Sequence, residues 1–314
     1  MTGPGLPYHL VLRGGRPGWW RPAVGAVAFV LAMLVIAPIL LQLPLLTYLG
    51  LTGDDLFGDL ERTLDLDDPT PLGLAYLNLV LAAAIPVTWL LVRYLHGLKP
   101  RWLASVMPRL RWRFLLVCFG LSLVSLIATL LVSAVLPAQD TGVEMTGELN
   151  DFTRTTRDFL LIVLFLTPLQ AAGEEYAFRG YLAQAFGGLF RSRVAAVVVP
   201  SILFALAHGV GQSAPIFFDR FAFGLVAGTL VILTGGLEAG IAMHVLNNWL
   251  AFGIALAYGD MGTSLNPTGG SWWTIPVTLT QSLTYLALAL WVARLMGLRT
   301  RTEPAVLEAS EGRV

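Results

Sequence analysis

Lysine is almost missing from this 314-residue chain: Lys99 is the only one. No basic run interleaves with aromatics and the formal net charge is zero, so nothing in the sequence points to a nucleic-acid partner. Cysteine occurs once, as Cys118 in an apolar run, which excludes an internal disulfide and any cysteine-based zinc site. Charge of either sign is scarce, with 13% charged residues against 56% hydrophobic ones. A soluble chain of this length needs far more charge to cover its surface, so the class is a polytopic membrane protein. Neither His-Glu-x-x-His nor Gly-x-Ser-Gly occurs, which removes the usual zinc and serine routes to hydrolysis inside a membrane.

What the chain has is long apolar stretches. A helix needs about 20 apolar residues to cross a hydrocarbon core of about 30 Å. Eight segments approach this: 23–49, 72–95, 114–136, 159–186, 194–210, 216–235, 237–258 and 273–296. Basic residues flank alternate ends. Arg13, Arg16 and Arg21 precede the first segment, Arg93 to Arg113 separate the second and third, Arg191 and Arg193 follow the fourth, and Arg294, Arg299 and Arg301 follow the last. Acids fill the intervening loops, from Asp54 to Asp68 and from Asp140 to Asp158. Basic loops stay cytoplasmic, so both termini are expected inside a cell membrane crossed eight times. The expected organisation is a cytoplasmic tail over 1–22, a multi-pass domain over 23–301 with its polar core at 159–258, and a disordered cytoplasmic tail over 302–314. The fold class is all-α: a bundle of about eight transmembrane helices.

The few deep polar groups cluster in three segments. "AAGEEYAFRG" carries Glu174, Glu175 and Arg179; "FALAHG" carries His208; "AMHVLNNW" carries His244, Asn247 and Asn248. His9 and His96 lie in the basic tail and a basic loop, where a solvated role is expected. Glu175 and Arg179 are four apart and share a helical face, so they can pair. Glu174 sits about 100° round the helix and is left without a local counter-charge. A carboxylate in low dielectric is suited to taking and returning a proton, and His208 is its expected partner. His244 and Asn248, again four apart, can offer two donors to a developing oxyanion. Phe178 and Phe204 are candidate pocket walls. A lone Glu–Arg pair could be a clamp between helices, but two carboxylates, an arginine, two histidines and an amide on three spans are hard to attribute to packing when each buried charge costs roughly 2.5–3.5 kcal/mol. One mismatch stands. Helical rise puts Glu174 about 22 Å below the outer end of its span and His208 about 21 Å above the inner end of the next. Those depths disagree unless the fourth span starts deeper or the 187–193 linker dips into the membrane.

The ordered set E-E-x-x-x-R (Glu174, Glu175, Arg179), F-x-x-x-H (Phe204, His208) and H-x-x-x-N (His244, Asn248) resembles the CPBP family of intramembrane proteases, which includes CAAX prenyl proteases of the Rce1 type and the ABI proteins. The resemblance covers about residues 159–258. It implies a bundle of about eight helices around a polar cavity open to the cytosol and the lipid, and glutamate-dependent peptide hydrolysis. By the same resemblance Glu174 and His208 activate water, His244 and Asn248 stabilise the oxyanion, and Glu175 and Arg179 organise the site. Relatives have been described as metalloproteases. Two histidines and two carboxylates could build a zinc site, so a divalent metal is the disfavoured alternative to an expectation of no cofactor.

Two other readings compete: a proton-coupled transporter using Glu174, Glu175 and His208, and a catalytically silent scaffold or immunity protein of the same fold. "YGDMG" at Tyr258–Gly262 offers an aspartate without a partner in another span. The arginine-rich, lysine-poor composition looks like that of a GC-rich bacterium, where CAAX prenylation is not expected. The expected partners are therefore the bilayer and a peptide or membrane-protein segment, not a prenylated tail or a nucleic acid. The sequence does not decide the oligomeric state.

Overall fold

A computed structural model describes residues 5–136, 147–209, 211–267 and 269–303. Asp140, Glu144 and the tail after Glu303 lie outside the described residues. The principal helices are α1 (Trp20–Thr52), α2 (Pro71–Leu95), α3 (Trp112–Ser133), α4 (Arg154–Phe190), α5 (Arg193–Ala207), α6 (Ala214–Thr234), α7 (Glu238–Tyr258) and α8 (Thr274–Leu295). Seven are long and apolar enough to cross a membrane. The eighth, α5, has 15 residues and spans only about 22 Å, so it is shorter than the expected crossing. Among the described residues there is no strand, only two isolated bridges, Pro7 with Arg301 and Ser105 with Gly236. The architecture is an all-α polytopic bundle.

The loops sort into two ends. At the basic end, Arg16 donates to the carbonyls of His96 and Tyr94, Arg13 to that of Gly188, and Val106 to that of Gly235. At the acidic end, Asn150 donates to the carbonyls of Leu256 and Gly259, and Asn266 to Asp67. Asp260 caps the short helix Met261–Leu265 by accepting from the Thr263 backbone, which gives "YGDMG" a structural role.

The basic end is plugged. A 3-10 turn at Tyr8–Gly14 and a second at Pro100–Leu103 bury Tyr8, Leu12, Leu98, Trp102, Leu103 and Val106 in the main core. The Tyr8 hydroxyl donates to the Leu103 carbonyl, and Gln184 donates to that of Trp102. Residues 5–15 are thus packed against the bundle. The Thr302 amide donates to the Leu6 carbonyl and its hydroxyl accepts from the Leu6 amide, which ties down the start of the C-terminal tail. An Arg111–Glu238 pair locks the foot of α7. Nε and a terminal nitrogen of Arg111 reach the two carboxylate oxygens at 2.9 and 2.6 Å, and its other terminal nitrogen reaches the Thr234 carbonyl at 2.8 Å. Such a bidentate pair fixes orientation as well as charge.

His9 and His96, expected in solvent, are both buried. His96 Nε2 lies 3.1 Å from the Tyr181 hydroxyl, joining the end of α2 to α4. Burial, with Arg21 nearby, lowers the His96 pKa to about 4; burial, with Arg193 and Arg301 nearby, does the same for His9. Both lie outside the spans. The unfolded chain, with histidines near 6.5, binds more protons than the folded one between pH 6.5 and 4. Stability is therefore complete above about pH 6.5 and lost as pH falls towards 4, by up to about 3 kcal/mol for each histidine. Thermal unfolding against pH should show this fall, and His9→Gln/His96→Gln should flatten it. An unchanged slope in the double variant would assign acid sensitivity elsewhere.

Candidate active site

The motif glutamates lie where α4 changes its winding. Pro168 at its middle removes a backbone donor, and Glu175–Leu182 forms a π-helical stretch inside the longer helix. π-bulges occur often at functional sites because they re-aim side chains that an α-helix would space evenly. Here they separate two neighbouring acids. Glu175 is fully buried and faces α7, where Gly240 leaves room: a Cβ there would come 2.5 Å from the Glu175 Oε2. Glu174 remains 8% exposed and lines a cavity. Gly173 brings α4 against the backbone of α2, since a Cβ there would lie 2.5 Å from the Leu81 carbonyl oxygen.

The cavity measures about 480 Å³. Glu174, His208, His244 and Asn248 all line it, with Phe178 and Phe204; Glu175 and Arg179 do not. His208 is an exposed residue of the wall, as are Leu34, Ala207 and Ala251, so the cavity is accessible. The lining runs from the motif level to Ser264 and Leu265 at the acidic end and includes no residue of the basic-end plug. An opening towards the basic end, implied by the resemblance, is therefore not found: Trp102, Leu103 and Tyr8 fill that direction.

The expected Glu174–His208 pairing also changes. The imidazole closest to Glu174 is His244, with Nε2 3.3 Å from Oε2. The other ring nitrogen, Nδ1, hydrogen-bonds Glu175 Oε1 at 3.0 Å. His244 thus sits between the two acids. Glu175 Oε1 also lies 3.0 Å from Arg179 NH1, an ion pair by distance although neither terminal nitrogen of Arg179 is aligned in a hydrogen bond. The guanidinium instead stacks 4.2 Å above the Phe204 ring. Phe204 also meets the His208 ring edge-on at 4.5 Å and the His244 ring at 6.0 Å, so it fixes three motif side chains as well as forming a wall. His208 Nδ1 is 2.7 Å from the Phe204 carbonyl; donating there leaves Nε2 as an acceptor.

The depth mismatch resolves at the basic end. From the tight turn at Arg191–Ser192, Glu174 lies 16 residues up α4 and His208 lies 15 above Arg193. These correspond to roughly 24 and 22 Å, with the π stretch shortening the first. Counting from the outer end failed because α4 has 37 residues, far more than the ~20 one crossing needs, so its outer end marks no fixed depth.

Sequence reading missed Gln170, one turn before Glu174, which lines the cavity and accepts from Asn248 Nδ2 at 3.0 Å. It shares the i, i+4 spacing with Glu174, which was the available signal. The second Asn248 amide hydrogen is not used by that bond. Arg220, also a lining residue, donates to Gln212, and Gln212 donates to the Ala205 and Gly209 carbonyls around His208. Among the described residues, no group of three or more His, Cys, Asp or Glu side chains converges in a way that could hold a metal ion.

Comparison with known proteins agrees with the motif set. Residues 156–250 match the family model described as type II CAAX prenyl endopeptidase Rce1-like. An uncharacterized protein of Bacillus subtilis (strain 168), YyaK, is 28% identical over 244 residues, which covers 73% of this chain and 80% of that protein. No solved structure matches the chain.

Proposed function

We propose that this chain, whose residues 156–250 match the Rce1-like family model, is a glutamate-dependent intramembrane endopeptidase. Its substrate is a peptide or membrane-protein segment reached from within the bilayer of a cell membrane, with both termini cytoplasmic. The observation that carries the reading is the division of labour between adjacent acids: Glu174 reaches the cavity shared with both motif histidines, while Glu175 is sealed behind it on Arg179. Glu174 takes a proton from the attacking water, assisted by the free Nε2 of His208 across the cavity. The water oxygen bonds to the scissile carbonyl carbon, and the proton passes on to the departing amine. Glu175 orients His244 through Nδ1, leaving Nε2 towards the cavity. Protonated, that nitrogen and the spare Asn248 amide hydrogen form the oxyanion donors. Gln170 holds the amide in register. The reading calls for no cofactor.

The test is a peptidase assay on purified full-length protein in lipid nanodiscs, with peptides and membrane-protein segments as substrates and products read by mass spectrometry. Wild type should cleave, and should keep cleaving in strong chelator. His208→Ala should lose about 10²–10⁴-fold in kcat. Failure of wild type to cleave any substrate in a broad screen would sink the proposal, and abolition by chelator would sink its metal-free form.

A further inference from the structure

A second pocket, unconnected with the cavity, lies at the basic end. It holds about 250 Å³ and is walled by two straps: 101–109, before α3, and 299–303, after α8. Arg101, Arg109 and Arg299 line it, all exposed, over a floor that includes Trp102 and Pro108. Glu303 is the acid in the lining and pairs with Arg299. Two guanidinium groups, those of Arg101 and Arg109, thus face the pocket with no acid partner among the described residues.

The straps are held in place. The Ser105 hydroxyl donates to the Arg109 carbonyl at 2.8 Å and accepts from the Met107 amide, and Val106 is bonded to Gly235. On the other side Thr302 is bonded to Leu6, and Arg301 to the Gly5 carbonyl. The straps that bring these arginines to one pocket are therefore held by contacts that the arginine side chains themselves do not make. The position also matters. Arg109 lies three residues before the first turn of α3 and Arg299 four residues after the end of α8, and these two helices pack together. Trp112 and Trp291 are exposed near those helix ends, as expected of residues at a membrane–water interface.

The geometry points to a phosphate-binding site at this pocket, filled by the headgroup of an anionic phospholipid in the basic-side leaflet. Guanidinium groups bind phosphate through paired N–H donors, and basic pockets at helix ends recognise such headgroups. Glu303 acts as a built-in competitor: it neutralises one of the three arginines and limits affinity.

The test is native mass spectrometry of the detergent-purified full chain with added phosphatidylglycerol, a diacylglycerol of the same chains, or inorganic phosphate. Wild type should retain phosphatidylglycerol about tenfold better than diacylglycerol. Arg101→Gln/Arg109→Gln should lose about tenfold, while Arg93→Gln, exposed near the same end, should not change retention. Glu303→Gln should tighten binding several-fold, a gain that misfolding cannot mimic. Arginine-dependent binding of inorganic phosphate as strong as that of the lipid would keep the phosphate site and make its source soluble. Equal retention by wild type and the double arginine variant, or no gain in Glu303→Gln, would overturn the proposal.

Discussion

Glu174→Gln is expected to lower kcat for peptide cleavage by about 10³-fold or more, with KM changed only a few-fold. The substitution keeps the size of the side chain and removes the group proposed to accept the water's proton. It should not unfold the chain. Glu174 Oε2 makes no hydrogen bond, its approach to His244 is a 3.3 Å contact, and the residue keeps some access to the cavity. Thermal stability should stay within about 1 kcal/mol of wild type. The informative comparison is Glu175→Gln one position on. Glu175 lines no part of the cavity, so its loss should act through its two neighbours, lowering stability and disturbing His244. A Glu174→Gln chain that keeps activity within tenfold, or a reversed order between the two variants, would remove Glu174 from the proposed chemistry.

Most of the bundle was legible because the signal for a membrane helix is long and one-dimensional. The observed helices 71–95, 112–133, 238–258 and 274–295 lie within two or three residues of the apolar runs at 72–95, 114–136, 237–258 and 273–296. The plug was not legible. Tyr8, Trp102 and Leu103 sit among arginines and prolines, where composition suggests solvent, and their burial comes from tertiary contacts such as the Tyr8 bond to Leu103 and the Gln184 bond to Trp102. His96 is hidden for the same reason: its partner Tyr181 is 85 residues away. At the candidate site the residue types were readable, and so was Glu175–Arg179, a local pair. Which histidine stands next to Glu174 was not, because that depends on a π turn at Glu175–Leu182 and on the depth at which α7 starts. Glu238 anchors that depth through Arg111, and nothing in a helical wheel indicates a partner 127 residues away. Regular α-helical geometry gives one angle between adjacent glutamates, and the bulge alters it.

Arg179→Met is expected to destabilise the chain by about 3–5 kcal/mol, the largest stability effect of any single substitution in the motif. Arg179 is 1% exposed and Glu175 fully buried, so removing the guanidinium strands a carboxylate in low dielectric. It also removes the cation stacked over Phe204, whose ring supports both motif histidines. The charge term should dominate, because methionine can still fill the space above the ring. Glu175→Gln/Arg179→Met decides this. With both charges gone, no isolated ion remains, while the glutamine carbonyl can still accept from His244 Nδ1. Most of the lost stability should therefore return, and the double-mutant cycle should give a coupling of roughly 2–3 kcal/mol. Activity should not return with it. An amide holds an imidazolium less firmly than a carboxylate does, so His244 would be a weaker oxyanion donor even in a well-folded chain. Recovery of stability without recovery of cleavage would separate the two functions of the "EEYAFR" stretch: Glu174 for chemistry, Glu175 and Arg179 for the frame that holds His244 against it. If Arg179→Met instead unfolds no more easily than wild type, the buried pair is not what holds α4 to α7, and the packing around Gly240 and Phe204 carries that contact alone.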